Sequence, residues 1–304
     1  MSERLRGIVE MIAATVISGT IGWFVLVSGM PVTGVIFWRC LIGGAVLLAV
    51  CYFRNYLRRD IMTSRQFLIA IIAGICLIAN WYVLFTSYSH ASMTVATVIY
   101  HVQPFILFLF GVVFFKERFT VSKIVWLLIA FAGVILLMQA KSGATAYGTG
   151  NYSIGITLAL CAAFLYAVTA ALTKFLKGVP PHLVALIQIA IGIPLFLPFA
   201  WQQGLPVGVS SWIVVAILGA VHTGIAYILL YGAIQKLPTN LVGAISFLYP
   251  VITAIMDYAL LGYRPHPAQI VGIVVILFAA AGMTLGWSFR RNKVTAASDT
   301  SPAE

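Results

Sequence analysis

The chain has 304 residues, 62% hydrophobic and 8% charged, with a mean hydropathy of +1.05. Soluble domains carry about 25% charged residues, so there is too little polar side chain here to coat a water-soluble globule; a disordered chain, which needs low hydrophobicity, is excluded as well. Eighteen Lys and Arg against seven Asp and Glu give +11, and in a chain this apolar the position of each charge matters more than the sum, because basic loops fix membrane orientation.

A bilayer core takes roughly 20 helical residues per crossing. Apolar runs of that length fall at 8–28, 33–53, 66–86, 92–115, 121–140, 153–173, 182–201, 211–231, 239–261 and 268–288. The first starts near Gly7, has no cleavage site and reads as a span, not a signal peptide. The seventh is interrupted by Pro194 and Pro198, and the ninth contains Pro250 and Asp257. None alternates strictly, and each is twice the length of a barrel strand, so helices are favoured over a β-barrel. The expected fold is an all-α integral membrane protein of ten transmembrane helices. Four cysteines, Cys40, Cys51, Cys76 and Cys161, lie inside apolar runs without a CxxC pair and read as free thiols.

Charge tests the count. With the N-terminus inside, the inner loops and termini hold fifteen basic residues, from Arg4 and Arg6 through Arg54, Lys116, Lys174 and Lys236 to Lys293. The outer loops hold Lys141 and Arg264, and Arg39 lies within a span. That bias predicts an N-in, C-in orientation. The positive charge is thereby used as topology, and no nucleic-acid partner is needed to explain it.

An internal repeat divides the chain. Gly74–Tyr82 (GICLIANWY) matches Gly219–Tyr227 (GAVHTGIAY) at an offset of 145. After one extra residue, Ala91–Pro104 matches Leu237–Pro250, and Glu117-Arg118 falls on Tyr263-Arg264. Five helices per half, an odd number, make the second half enter from the opposite side, an inverted repeat of the kind that secondary transporters build around a midplane site. The division is 1–140 for the first repeat, 141–152 for an outer connecting loop, 153–291 for the second repeat and 292–304 for a disordered cytoplasmic tail. Asn151-Tyr152-Ser153 is a glycosylation sequon on that outer loop, relevant only in a eukaryotic secretory pathway.

At this point the sequence resembles the drug/metabolite transporter superfamily, in its EamA branch. The resemblance rests on Phe37-Trp38-Arg39, the Ala91–Pro104 stretch, Phe115-Lys116-Glu117-Arg118 followed by Trp126 and Gly133, and in the second half Leu237-Pro238-Thr239, Tyr249-Pro250 and Gly272. It covers residues 7–288. Tyr82, Tyr100 and His101 make the chain similar to the YddG-type exporters of aromatic amino acids. Two departures stand out: Ser18 where family members often have Trp, with Trp23 one turn on, and Tyr263 as the counterpart of Glu117. The resemblance implies a multi-pass transporter of the bacterial inner membrane that exports amino acids, aromatic and other neutral ones, or related metabolites by alternating access. A drug or other metabolite permease is the alternative.

Polar groups in lipid are costly and usually face the bundle interior. Asn80, Tyr82, Tyr100, His101 and Gln103 lie in the third and fourth spans, Trp23 in the first, Tyr166 in the sixth, His222 and Tyr227 in the eighth and Ser246 in the ninth; these are the candidates for a substrate cavity. For Tyr82, Tyr100 and Tyr166 the competing reading is an interfacial aromatic belt. His101 and His222 either accept a carboxylate or relay a proton, or sit neutral against a backbone carbonyl. Arg39 and Asp257 are the intramembrane charges: either they pair as an outer gate, or Arg39 snorkels to the surface. Glu10 reads as wetted from the cytoplasm, and Glu117 as a loop anchor. Pro104 and Pro250, in matching places, are expected to kink the fourth and ninth helices. Acids are missing at mid-span, so the cavity reads as uncharged and suited to zwitterionic or neutral solutes. No metal-ligand spacing and no HExxH, GxSxG or Walker A motif is present, so no cofactor, no metal and no enzymatic activity are expected. The expected partners are a small solute and the bilayer; the sequence does not set the oligomeric state, and a monomer is compatible with it.

Overall fold

The computed structural model describes residues 2–58, 60–90, 96, 99–117, 120–139, 152–261 and 267–288, with the backbone alone at a few of these, Asp257 among them. The chain is helical throughout its long elements: α1 (Glu3–Gly19), α2 (Ile21–Ser28), α3 (Val32–Phe53), α4 (Ser64–His90), α5 (Gln103–Phe115), α6 (Val121–Gln139) and α7 (Tyr152–Phe175). The later part comprises α8 (Pro181–Ala190), α9 (Gly192–Gln203), α10 (Gly208–Gly219), a π-helical turn (Ala220–Ile225), α11 (Ala226–Lys236), α12 (Thr239–Ser246), α13 (Leu248–Leu261) and α14 (Pro267–Leu285). Among the described residues, six stretches are long and apolar enough to cross a membrane, and a seventh if α8 and α9, bent by 42° at Ile191, form one span. Gln103–Phe115, Val121–Leu136 and Ile270–Met283 are apolar but shorter.

Local chemistry sets the ends. Ser2 caps α1 by accepting from the Leu5 N–H at 3.3 Å, and Glu3 in the first turn complements the helix dipole. Helix α5 stops at Lys116, whose φ of 52° is left-handed, and the Glu117 N–H returns to the Gly111 carbonyl at 3.0 Å. Pro104 and Pro250 differ from expectation. Each lies in the first turn of a helix that starts anew, α5 after a turn at His101-Val102 and α13 after a turn at Phe247. A proline there gives up no backbone hydrogen bond, and at Pro250 the segments on either side of Phe247 still run on as one span, Thr239–Leu260.

The core is apolar, as in a soluble protein, but the exterior is apolar too and a set of polar groups is buried. Phe53, Phe67, Leu68, Phe114, Phe199 and Trp201 stand exposed, whereas Arg39, Asn80, His101, Gln188, His222 and Thr223 are buried. Lipid offers no hydrophobic drive for helix association, so contact depends on close fit and small residues. A Cβ at Gly74 would come within 2.7 Å of the Gln188 Cα, and one at Gly219 within 2.5 Å of the Ile42 side chain. Helix α4 packs along α7, α6 along α14, α1 along α11, α5 against α12, and α3 against α8, α9 and α10.

Candidate functional site

Between these helices lies a cavity of about 150 Å³. Its wall includes Thr15 and Ser18 of α1, Arg39 of α3, Asn80 and Trp81 of α4, and Tyr100, His101 and Gln103 at the break before and into α5. The second half contributes Tyr166 of α7, His222 of the π turn, Tyr227 of α11, Ser246 of α12 and Tyr249 of α13. Eight of the ten residues expected from sequence are thus brought together. The other two are not on this wall.

Tyr82 is the first correction. It is 45% exposed, with its ring 6.0 Å from that of Phe196 on the outside of the bundle. Asn80 and Trp81 take the inward face of α4, and the next residue is turned about 100° further round. The match of Tyr82 with Tyr227 misled because a π turn takes in one extra residue. Counted past that residue, the counterpart of Tyr227 is Trp81, and the two touch: the Trp81 Nε1–H donates to the Tyr227 hydroxyl at 3.1 Å. The sequence held the signal, since the offset between the halves grows from 145 at Gly74/Gly219 to 146 at Pro104/Pro250. Trp23 is the second correction. It sits in α2, beyond the break at Thr20, edge-on to Phe24.

The π turn also delivers two polar groups inward. Thr223 donates its hydroxyl hydrogen to the Leu218 carbonyl at 2.8 Å, leaving its oxygen to accept from the Arg39 Nε–H at 3.1 Å. His222 lies between the Thr20 hydroxyl, 2.8 Å from Nε2, and the Ile217 carbonyl, 3.4 Å from Nδ1. Thr20 already donates to the Ile17 carbonyl at 2.8 Å. A neutral imidazole has one N–H, so the tautomer decides which of the two contacts the ring donates to, and the rotatable Thr20 hydroxyl can donate to the other ring nitrogen.

Arg39 does not snorkel: it is 2% exposed, with its guanidinium carbon 4.1 Å above the Trp81 ring. The cavity therefore carries a cation, and the expectation of an uncharged cavity is corrected. Asp257 belongs to α13, but its side chain lies outside the described residues, and the Arg39–Asp257 pair with it. Around the cavity Asn80 donates to the Ala162 carbonyl at 2.7 Å. The His101 ring stacks at 26° on Phe247, and the Tyr100 and Tyr166 rings meet at 6.2 Å. The Gln103 Oε1 is buried and has no hydrogen-bond partner among the described residues. No Asp or Glu occurs among the described lining residues. Arg39 was legible in the sequence only as a gate or surface charge, and Trp81, Thr223 and Tyr249 were not nominated for the cavity.

The bundle end that carries Arg4 and Arg6 is cross-linked by ion pairs. Glu117 accepts from Lys174 Nζ at 2.8 Å, from the Thr239 N–H at 3.0 Å and from the Thr239 hydroxyl at 2.8 Å, so it caps α12 from outside. Lys174 also donates to the Leu237 carbonyl at 2.7 Å. Glu10 is not simply wetted; it pairs with both Lys236 and Arg6. Burial alone would raise the Glu117 carboxyl, but the Lys174 and Thr239 hydrogen bonds and the Lys174 charge outweigh it and hold it below the usual carboxylate range.

The sequence profile of the EamA-like transporter family matches residues 5–139 and again 153–285. The chain belongs to the EamA-like transporter family. It is 29% identical over 284 residues to the uncharacterized transporter YxxF of Bacillus subtilis, covering 93% of this chain and 90% of that protein. It is 25% identical over 196 residues to the aromatic amino acid exporter YddG of Ancylobacter novellus, covering 62% of this chain and 66% of that one. A solved protein structure superposes with a TM-score of 0.81 over 93% of this chain and 97% of its own; at 22% identity this likeness concerns the fold alone. As an EamA member the chain is a multi-pass membrane transporter of small solutes.

Proposed function

We propose that this EamA transporter exports amino acids, aromatic and other neutral ones, or closely related metabolites, by alternating access through the cavity between two inverted five-helix repeats. It would do so from the bacterial inner membrane, with ten spans and both termini inside, and without catalysis. The carrying observation is the cavity wall, where tyrosines, a tryptophan and two histidines from both halves join apolar side chains and a few polar anchors around a space sized for a small solute. An aromatic amino acid needs apolar faces together with polar anchors, and Tyr, Trp and His supply both.

Three further features support the reading. The YddG relative carries the same kind of solute in its name. The family profile fits each half separately. The helix pairs also fall as a two-fold axis requires: the third span on the sixth mirrors the eighth on the first, while fourth–ninth, fifth–tenth and second–seventh pair with themselves. Glu117–Lys174 and Glu10–Lys236 tie helices together at the basic end, which suits a gate on the inner side.

Counterflow into liposomes preloaded with unlabelled amino acid tests this, with labelled phenylalanine as tracer. Competition by tryptophan, tyrosine and leucine is expected, and an imposed pH gradient should alter the rate if His222 relays a proton. No uptake of any amino acid by folded protein would sink the amino-acid reading and leave another metabolite or a drug as solute. A cationic drug is disfavoured by the Arg39 charge and by the lack of acids among the described lining residues.

A further inference from the structure

We infer that Arg39 is the anion anchor of the cavity, so that the transported solute carries a carboxylate held by its guanidinium; this rests on the amino-acid reading above and specifies its binding mode. An arginine inside an apolar span is expensive to insert, and such a residue faces a partner or a pathway. Here the described partners meet only part of its capacity. A guanidinium has five N–H donors. Nε–H goes to Thr223, one face lies on Trp81, and the paired Nη edge has no acceptor among the described residues. The described ion pairs engage Arg6, Arg58, Lys174 and Lys236, not Arg39. Tyr249, on the same cavity wall, precedes Asp257 by eight residues on α13, roughly 12 Å along the axis at 1.5 Å per residue.

The arginine is held for this task from two sides. Thr223 is fixed by its own bond to the Leu218 carbonyl, and Trp81 by its bond to Tyr227. With Nε and one face occupied, the free edge is the planar fork that matches a carboxylate in two parallel bonds. The second observation is Gln103. It is 7% exposed, lines the same cavity, and its carbonyl oxygen is unpartnered among the described residues. A buried acceptor without a donor is costly, and the ammonium of an α-amino acid is a donor of the required kind. Arg39 and Gln103 thus present opposite polarities to one space, in which the aromatic walls take the side chain.

The test is ligand binding to purified wild-type protein in nanodiscs, read by calorimetry and by tryptophan fluorescence. The probes are L-phenylalanine, phenylalaninamide, phenethylamine and 3-phenylpropionate, with leucine and lactate as non-aromatic carboxylates. Phenylalanine is expected to bind at least about tenfold tighter than its amide or phenethylamine, the scale of a charge-assisted pair. Arg39→Gln should shrink that preference to under about threefold, while Arg39→Lys keeps part of it. Gln103→Leu should weaken phenylalanine but spare 3-phenylpropionate. Amide and acid binding within about threefold in the wild type, or an undiminished preference in folded Arg39→Gln, overturns the anchor. Because the wild-type panel decides alone, a variant that fails to fold leaves the inference exposed. If leucine or lactate binds in an Arg39-dependent way and no aromatic compound does, the anchor stands and the aromatic reading falls. If no carboxylate binds to folded wild type, the anchor falls.

Discussion

At the scale of single residues, the decisive quantity is how many hydrogen-bonding groups a buried charge can satisfy. Glu117 satisfies three donors from two other helices, Lys174 and both groups of Thr239. Glu117→Ala strands all three, and the expected loss is about 3 kcal/mol, seen as a lower Tm in detergent. The pH dependence follows from the depressed carboxyl. A group whose folded pKa lies below its free value stabilises fully above the free value, about 4.3, and loses that contribution as pH falls through the lower folded value. The Tm gap between wild type and Glu117→Gln should therefore be constant from about pH 8 to 5 and close below about pH 4. A gap that closes between pH 8 and 6 would contradict this assignment. Gly111 belongs to the same lock, since a Cβ there would fall on the Thr239 hydroxyl and crowd Glu117.

At the scale of helices, small residues and backbone irregularities determine which faces meet. Gly219 lets α10 lie against Ile42 of α3, and the π turn that follows rotates His222 and Thr223 inward. Gly219→Val should cost about 1–3 kcal/mol by overpacking. Gly22→Ala, where an added Cβ meets nothing within 4 Å, should be neutral or stabilise by up to about 1 kcal/mol. Thermal unfolding of the pair in one detergent checks both; equal effects would mean that the α3–α10 approach is not a tight fit. Loss of the π turn would return Tyr227 to the phase of Tyr82 and break its contact with Trp81, which carries the face of Arg39.

At the scale of the whole molecule, the proposed ten-span, N-in arrangement predicts which ends of the bundle meet which solution. In a background with Cys40, Cys51, Cys76 and Cys161 replaced, Ser210→Cys should react with an impermeant maleimide on intact cells. Lys177→Cys should react only after the membrane is opened. Both positions are exposed, so access and not burial decides the outcome. Labelling of both from outside, or of Lys177→Cys alone, would reverse or break the topology. Glu10, Glu117, Lys174 and Lys236 are far apart in the chain yet share one end of the bundle, paired as Glu10–Lys236 and Glu117–Lys174.

The sequence by itself determined the solvent, the helical class and the family. Those follow from composition, run length and short motifs such as Phe37-Trp38-Arg39, none of which needs a third dimension. It also delivered most of the polar residues of the cavity wall, because a polar residue in an apolar span has few other places to go. Only the tertiary structure decided the direction of each side chain. Tyr82 and Trp81 are neighbours in sequence and equally plausible as lining, but one faces out and the other supports Arg39, a matter of helix phase. Arg39 itself read as a gate or a snorkelling charge, since its true neighbours, Thr223 and Trp81, come from helices 184 and 42 residues away. Distance along the chain carries no information about such contacts, which exist only once the helices have packed.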